Sequence, residues 1–215
     1  MTLRTDQLVE ALSRDVPRVP RHAMAVRLAI GLLAGGLCSV AMVALLLTIR
    51  PDLGTAMLGF TLWMKWLYAA LLAAVAVVAV GRLARPDVRS LRFLWLLMVP
   101  VLALLFVGAT ELARTPPGQR LDVWMGSSWA ICPWLLLMLS MPFFLGLLWS
   151  FKTLAPTRLR VAGAAAGLAS GALAAIAYGL HCPESSALFV LTWYSLGIAL
   201  ATGLGALVGP WLLRW

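Results

Sequence analysis

Six long apolar runs, at about 26–49, 60–81, 93–113, 129–149, 161–180 and 187–212, decide what this chain can become. Each is close to the ~20 residues a helix needs to cross a bilayer. None alternates apolar with polar residues as a barrel strand would, so helices that satisfy their own backbone groups are the remaining solution. The composition agrees. Of 215 residues, 62% are hydrophobic and only 12% are charged, against about 25% charged in soluble domains. The expected architecture is all-α: a six-helix integral membrane bundle over residues 25–215. A polar N-terminal segment, 1–24, precedes it.

The basic residues orient that bundle. With the N-terminus in the cytoplasm, Arg4, Arg14, Arg18, Arg21, Arg27, Arg82, Arg85, Arg89, Arg92, Lys152, Arg158, Arg160 and Arg214 fall inside. Only Arg50, Lys65, Arg114 and Arg120 fall at or near the outer surface. Such a bias sets topology, so both termini are expected inside. The acidic residues divide evenly between the two sides, and the net charge of +9 therefore belongs to the cytoplasmic face. Topology and anionic lipid account for it without nucleic acid.

Inside the spans, Gly163, Gly167 and Gly171 recur every four residues, as do Gly197, Ala201, Gly205 and Gly209. Small-residue ridges let helices approach closely in lipid, either within one chain or across a homodimer. Lys65 and Glu111 are ionisable residues at a shared depth near the outer ends of their spans. An intramembrane charge is a functional candidate; here an ion pair, or a lysine snorkelling to the interface, is the structural reading.

Cys132, in "SSWAICPWLLL", opens the fourth span from the outer side. Cys182, in "GLHCPESSALFVLTWYS", lies in the turn between the fifth and sixth. Measured from the cytoplasmic turn near Pro156, each thiol is about 36–39 Å away at 1.5 Å per residue. Two thiols at one height in an oxidising compartment can form a disulfide. With His181 and Glu184 beside them they can equally bind a soft or borderline metal, or they can be plain turn residues. Cys38, mid-span without polar neighbours, reads as a small apolar filler.

Catalysis finds little support. The two histidines fall on opposite sides, no CxxC is present, and no strand precedes a phosphate-binding glycine loop. The N-terminal "RTDQLVEALSRDVPRVPR" reads as a short amphipathic helix. Thr5 would cap it, Asp6 would favour its dipole, and Leu8, Val9 and Leu12 would share a face. Its polar face mixes Asp6, Glu10 and Asp15 with Arg14, which suits a protein groove better than a lipid surface.

These residues together resemble the NrsF-type family of anti-sigma factors, over nearly the whole chain. "RTDQLVEALSRDVPRV" resembles the family's N-terminal element, with Thr5, Asp6, Leu8, Leu12 and Asp15 at matching positions. "HCPESSALFVLTWYSLGIA" resembles its most specific signature, through Cys182, Pro183, Glu184, Phe189, Trp193 and Tyr194. "CPW" supplies a second periplasmic cysteine, Cys132. The resemblance implies a protein that holds an extracytoplasmic-function (ECF) sigma factor at the inner membrane. It implies no required cofactor, beyond a metal ion held transiently at the cysteines, and it implies that the two cysteines sense metal or oxidative stress. Two other readings of the residues are a small transporter or metal-efflux component running past Lys65, Glu111 and the Cys/His cluster, and a membrane thiol redox protein. The nearly bare midplane disfavours the first, and the missing CxxC the second.

Overall fold

The structure, a computed structural model, describes Thr5, Val9, Glu10 and residues 22–84, 90, 92–151 and 157–213. Thr5 and Val9 are helical and exposed. Asp6, Leu8, Leu12 and Asp15, the loop at 85–89 and the turn at Pro156 lie outside the described residues.

Every regular element among the described residues is helical. Six are long and apolar enough to cross a membrane: α1 (Ala23–Leu47), α2 (Phe60–Leu83), α3 (Arg92–Arg114), α4 (Cys132–Phe151), α5 (Leu159–Tyr178) and α6 (Ala187–Leu212). Their ends fall within one helical turn of the expected spans. Large apolar side chains such as Leu33, Leu45, Phe106, Leu145 and Leu207 point outward, an arrangement that suits hydrocarbon as the surrounding solvent.

Regular α-helix is interrupted at both ends: α3 opens with a 3-10 stretch, Arg92–Leu97, and two π turns lie at the opposite end. α1 closes with a π turn, Val43–Leu47, and stops at Thr48, whose φ of 68° is costly for a β-branched residue. α6 opens with a single α turn, Ala187–Phe189, then a π turn, Val190–Tyr194, before regular helix resumes at Ser195. Such wide turns admit an extra residue and rotate the facing of the helix beyond them. Tyr194, at the end of this one, is fully buried.

α5 is the central helix, packed against α6, α2 and α4. Its Gly/Ala surface makes that possible. A Cβ at Gly163 would collide with the Gly205 carbonyl oxygen, and one at Gly167 with that of Ala201. Gly163, Gly167 and Gly171 therefore pack on Ala201, Gly205 and Gly209 within one chain, while Gly197 meets Leu136 and Pro133 of α4. α1 and α4 cross similarly at Gly31 and Gly146, where Ser150 Oγ donates to the Arg27 carbonyl across 3.1 Å.

The core divides into two buried clusters. One gathers Leu28, Leu83, Leu147, Phe151, Ala162 and Leu213 at the end where the described chain begins and finishes. The other gathers Tyr68, Cys132, Leu136, Tyr178, Cys182, Phe189 and Tyr194 at the opposite end. The loops at that opposite end hold the candidate site.

Candidate functional site: the paired thiols

Residues 179–186, a strap joining α5 to α6, carry Cys182. The last turn of α5 sets its position, because Cys182 N–H donates to the Tyr178 carbonyl at 3.0 Å. Cys132 is the first residue of α4, with its N–H donated to the Ser128 carbonyl at 2.9 Å. Both side chains are 0% exposed and both thiols are free. The structure thus brings the two cysteines into one cluster and leaves Cys38 apart on an exposed position of α1.

Two phenols accompany them. The Tyr178 and Tyr194 rings pack at 5.5 Å between centroids and 53° between planes. The Tyr194 hydroxyl is buried and completes no hydrogen bond. Buried polar atoms without a partner are uncommon and ask for an explanation.

Two cations converge on the backbone of the same cysteine. Lys65 Nζ donates to the Cys182 carbonyl at 3.2 Å, and Arg50 Nη1 donates to that oxygen at 3.3 Å. Arg50 N–H also reaches the Leu180 carbonyl at 3.0 Å, so the strap is tied to the α1–α2 connection and to α2. Arg50 in turn grips Asp52 through Nε at 2.7 Å and Nη2 at 2.5 Å. These hydrogen bonds hold the Asp52 carboxyl below its ordinary range and the Arg50 guanidinium above its own.

Lys65 and Glu111 do not form the expected ion pair. Lys65 is 1% exposed and spends its ammonium on Cys182. Glu111 Oε2 instead accepts from Ser186 Oγ at 3.0 Å, Ala187 N–H at 2.8 Å and Leu188 N–H at 3.4 Å. The first N–H groups of a helix have no intrahelical partners and carry positive partial charge, so α6 outcompetes a lysine for this carboxylate.

His181 and Glu184 flank Cys182 in sequence but turn to other work. His181 Nδ1 meets the strained Thr48 carbonyl at 2.9 Å, with its ring against Tyr178 at 5.8 Å. Glu184 Oε1 accepts from Ser127 N–H at 2.7 Å, Ser127 Oγ at 2.6 Å and Ser128 Oγ at 3.4 Å, four residues ahead of Cys132. This clasp needs Gly126, whose φ is +60° and whose missing Cβ would stand 2.7 Å from the Glu184 carboxylate. Among the described residues no three His, Cys, Asp or Glu side chains gather to hold a metal ion. The four sensing candidates therefore separate into two buried thiols and two outward clasps.

Tyr178 and Arg50 belong to this site although the sequence did not mark them as members. Tyr178 had a signal, since it precedes Cys182 by one helical turn. Arg50 and Lys65 had none for this contact, because a backbone carbonyl is an acceptor that no residue type announces.

Six helices long and apolar enough to cross a membrane, with two buried thiols gathered at one end, are the build of a polytopic membrane-type protein. The chain belongs to the family described as "Negative regulator of sigma F", NrsF, whose model matches residues 12–215. It is 38% identical over 213 residues to the probable anti-sigma-F factor NrsF of Azospira oryzae, covering 99% of this chain and all of that protein. It is 41% identical over 216 residues to the anti-sigma-F factor NrsF of Caulobacter vibrioides, with 99% and 100% covered. No solved structure matches the chain. These relatives are regulators, and the chain is not an enzyme.

Proposed function

We propose that this protein is an anti-sigma factor of the bacterial inner membrane. It sequesters an ECF sigma factor in the cytoplasm and releases it when Cys132 and Cys182 meet heavy-metal or oxidative stress in the periplasm. The observation that carries the reading is the burial of two free thiols in one cluster, at the end of the bundle opposite the start of α1. Family membership supplies the sigma factor as partner. The distribution of basic residues supplies the orientation, with both termini cytoplasmic. No resident cofactor is needed for this function, and no contact with nucleic acid.

The docking element in this reading is the amphipathic segment with Thr5, Asp6, Leu8, Val9, Leu12 and Asp15. Burying Leu8 or Leu12 in a groove of the partner is worth about 1.5–3 kcal/mol each. Leu8→Asp and Leu12→Asp should therefore release the sigma factor, read as its loss from detergent co-purification while the membrane protein accumulates normally. Full retention by both variants would move the dock elsewhere, to the Arg82–Arg92 loop.

A further inference from the structure

α3 is anchored near its two ends and stands off α2 between them. At the thiol end its Glu111 carboxylate accepts from the head of α6, and a Cβ at Gly108 would stand 2.9 Å from the Leu188 side chain. At the other end the Arg82 guanidinium lies 4.3 Å from the centre of the Phe93 ring. Between these anchor points a groove of about 300 Å³ opens along the side of the bundle. Its α3 wall is the stripe Pro100, Leu104 and Val107, spaced i, i+4, i+7 on one helix face. Its α2 wall includes Phe60, Trp63 and Leu67, whose largely exposed side chains place the opening where hydrocarbon would surround the spans. The two lining side chains with polar atoms use them elsewhere. Trp63 Nε1 donates to the Met57 carbonyl at 2.8 Å, and the Tyr68 hydroxyl pairs with Ser195 Oγ at 2.6 Å. The groove therefore offers a ligand apolar contact alone.

Size and charge select the occupant. A cavity of about 150 Å³ holds one benzene ring, so this groove has room for a chain of about a dozen carbons. Spread over the rise from Pro100 to Val107, about 10 Å, its 300 Å³ gives a cross-section of about 30 Å², against roughly 80–110 Å² for a helix. A hydrocarbon chain fits, and a helix of a second copy does not. The stripe continues past Val107 to Arg114, seven residues and about 10 Å further along α3. Arg114 is exposed and has no acidic partner among the described residues. A free cation set one headgroup's height above an apolar groove complements an anionic lipid. We propose that the α2–α3 groove binds an anionic phospholipid, with one acyl chain between the two helices and its phosphate on Arg114. The site asks only that the spans sit in lipid; it is independent of whether the cysteines respond to stress.

The test uses the full-length protein in detergent with phosphatidylglycerol that carries a diazirine in the middle of one acyl chain. On illumination the diazirine loses dinitrogen, its carbene inserts into a neighbouring bond, and mass spectrometry of the digested protein locates the label. Labelling should concentrate on the groove walls, at residues 60–71 and 100–107. It should saturate at one lipid per chain, and unlabelled phosphatidylglycerol should compete it away. Ala103→Trp, which fills the groove from α3, should abolish that labelling and leave the label on exposed Leu37 and Leu45 of α1 unchanged. Arg114→Gln should raise the half-saturating lipid concentration about fivefold, the weight of one basic residue at a membrane surface. A diacylglycerol with the same photoactive chain lacks the phosphate and should not sense that variant. Label that spreads over all lipid-facing spans without saturating overturns the site in wild type, whether or not any variant folds. Groove labelling that survives Ala103→Trp, or phosphatidylglycerol binding unmoved by Arg114→Gln, also contradicts it. An unlabelled groove in a dimer that Ala103→Trp dissociates would assign the surface to a second copy instead. None of these readouts needs a sigma factor, so their failure is distinct from failure of the anti-sigma reading.

Discussion

The α5–α6 interface and the thiol end of the bundle are held together by opposite means. Along α5–α6 nothing polar is needed: Gly163, Gly167 and Gly171 meet Gly205, Gly209, Ala201 and Ile198 backbone to backbone, and van der Waals contact supplies the cohesion. At the thiol end almost every tie is a hydrogen bond between segments. Arg50 and Lys65 hold Cys182, His181 holds Thr48, Glu184 holds Ser127, and Glu111 holds the start of α6. Close-packed ridges tolerate no intermediate positions. A set of separate polar ties can change partners one at a time. The contrast places close-packed ridges in the middle of the molecule and separable polar ties at one end of it.

Damage to the rigid part should have the largest effect. Gly167→Leu drives a branched side chain into the Ala201 carbonyl and Thr202 Cα. Overpacking of this kind costs on the order of 3 kcal/mol when the backbone must shift, equivalent to roughly 6–12 °C in melting temperature for a chain of this size. Thermal unfolding in detergent measures it. A drop of no more than a degree or two would mean that α5 and α6 do not meet at this ridge.

Damage to a single tie at the thiol end should be smaller and local. Glu111→Gln keeps the shape but removes the charge that faces three donors at the head of α6. A loss of about 1.4 kcal/mol is expected there, seen as roughly tenfold faster hydrogen exchange at Ala187 and Leu188 with α5 unaffected. Exchange that accelerates equally along α5 would erase the distinction between the two regions.

The same contrast explains which features are legible in the sequence. All six spans and the two small-residue ridges rest on residue type and spacing, because hydrophobic length and small-residue periodicity are written directly in the chain; that the ridges meet each other, rather than a second copy, is not. The shared height of Cys132 and Cys182 comes from counting residues back from one turn. The ties are not readable in this way. Lys65 and Glu111 share a depth and opposite charge, yet each prefers backbone groups, one the Cys182 carbonyl and the other the free N–H groups of α6. His181 and Glu184 stand beside a thiol in sequence, but the strap turns both away from it. Facing in a loop depends on backbone path, and here that path runs through a positive-φ Thr48, a positive-φ Gly126 and two π turns.

If the thiol end governs partner release, sigma factor retention and thiol state must change together in the same cells. Cells carrying wild type, Cys132→Ser, Cys182→Ser or the double variant are exposed to a thiol-reactive stress. Sigma factor retained with the membrane protein is then quantified in the same samples as free thiol. Wild type should lose both its free thiols and its partner. Each single variant should retain the sigma factor to about the same degree, the double variant should be no more severe, and Cys38→Ser should behave as wild type. Release of the sigma factor from the double variant, or thiols that stay free while wild type releases its partner, would contradict control of release by the thiol end.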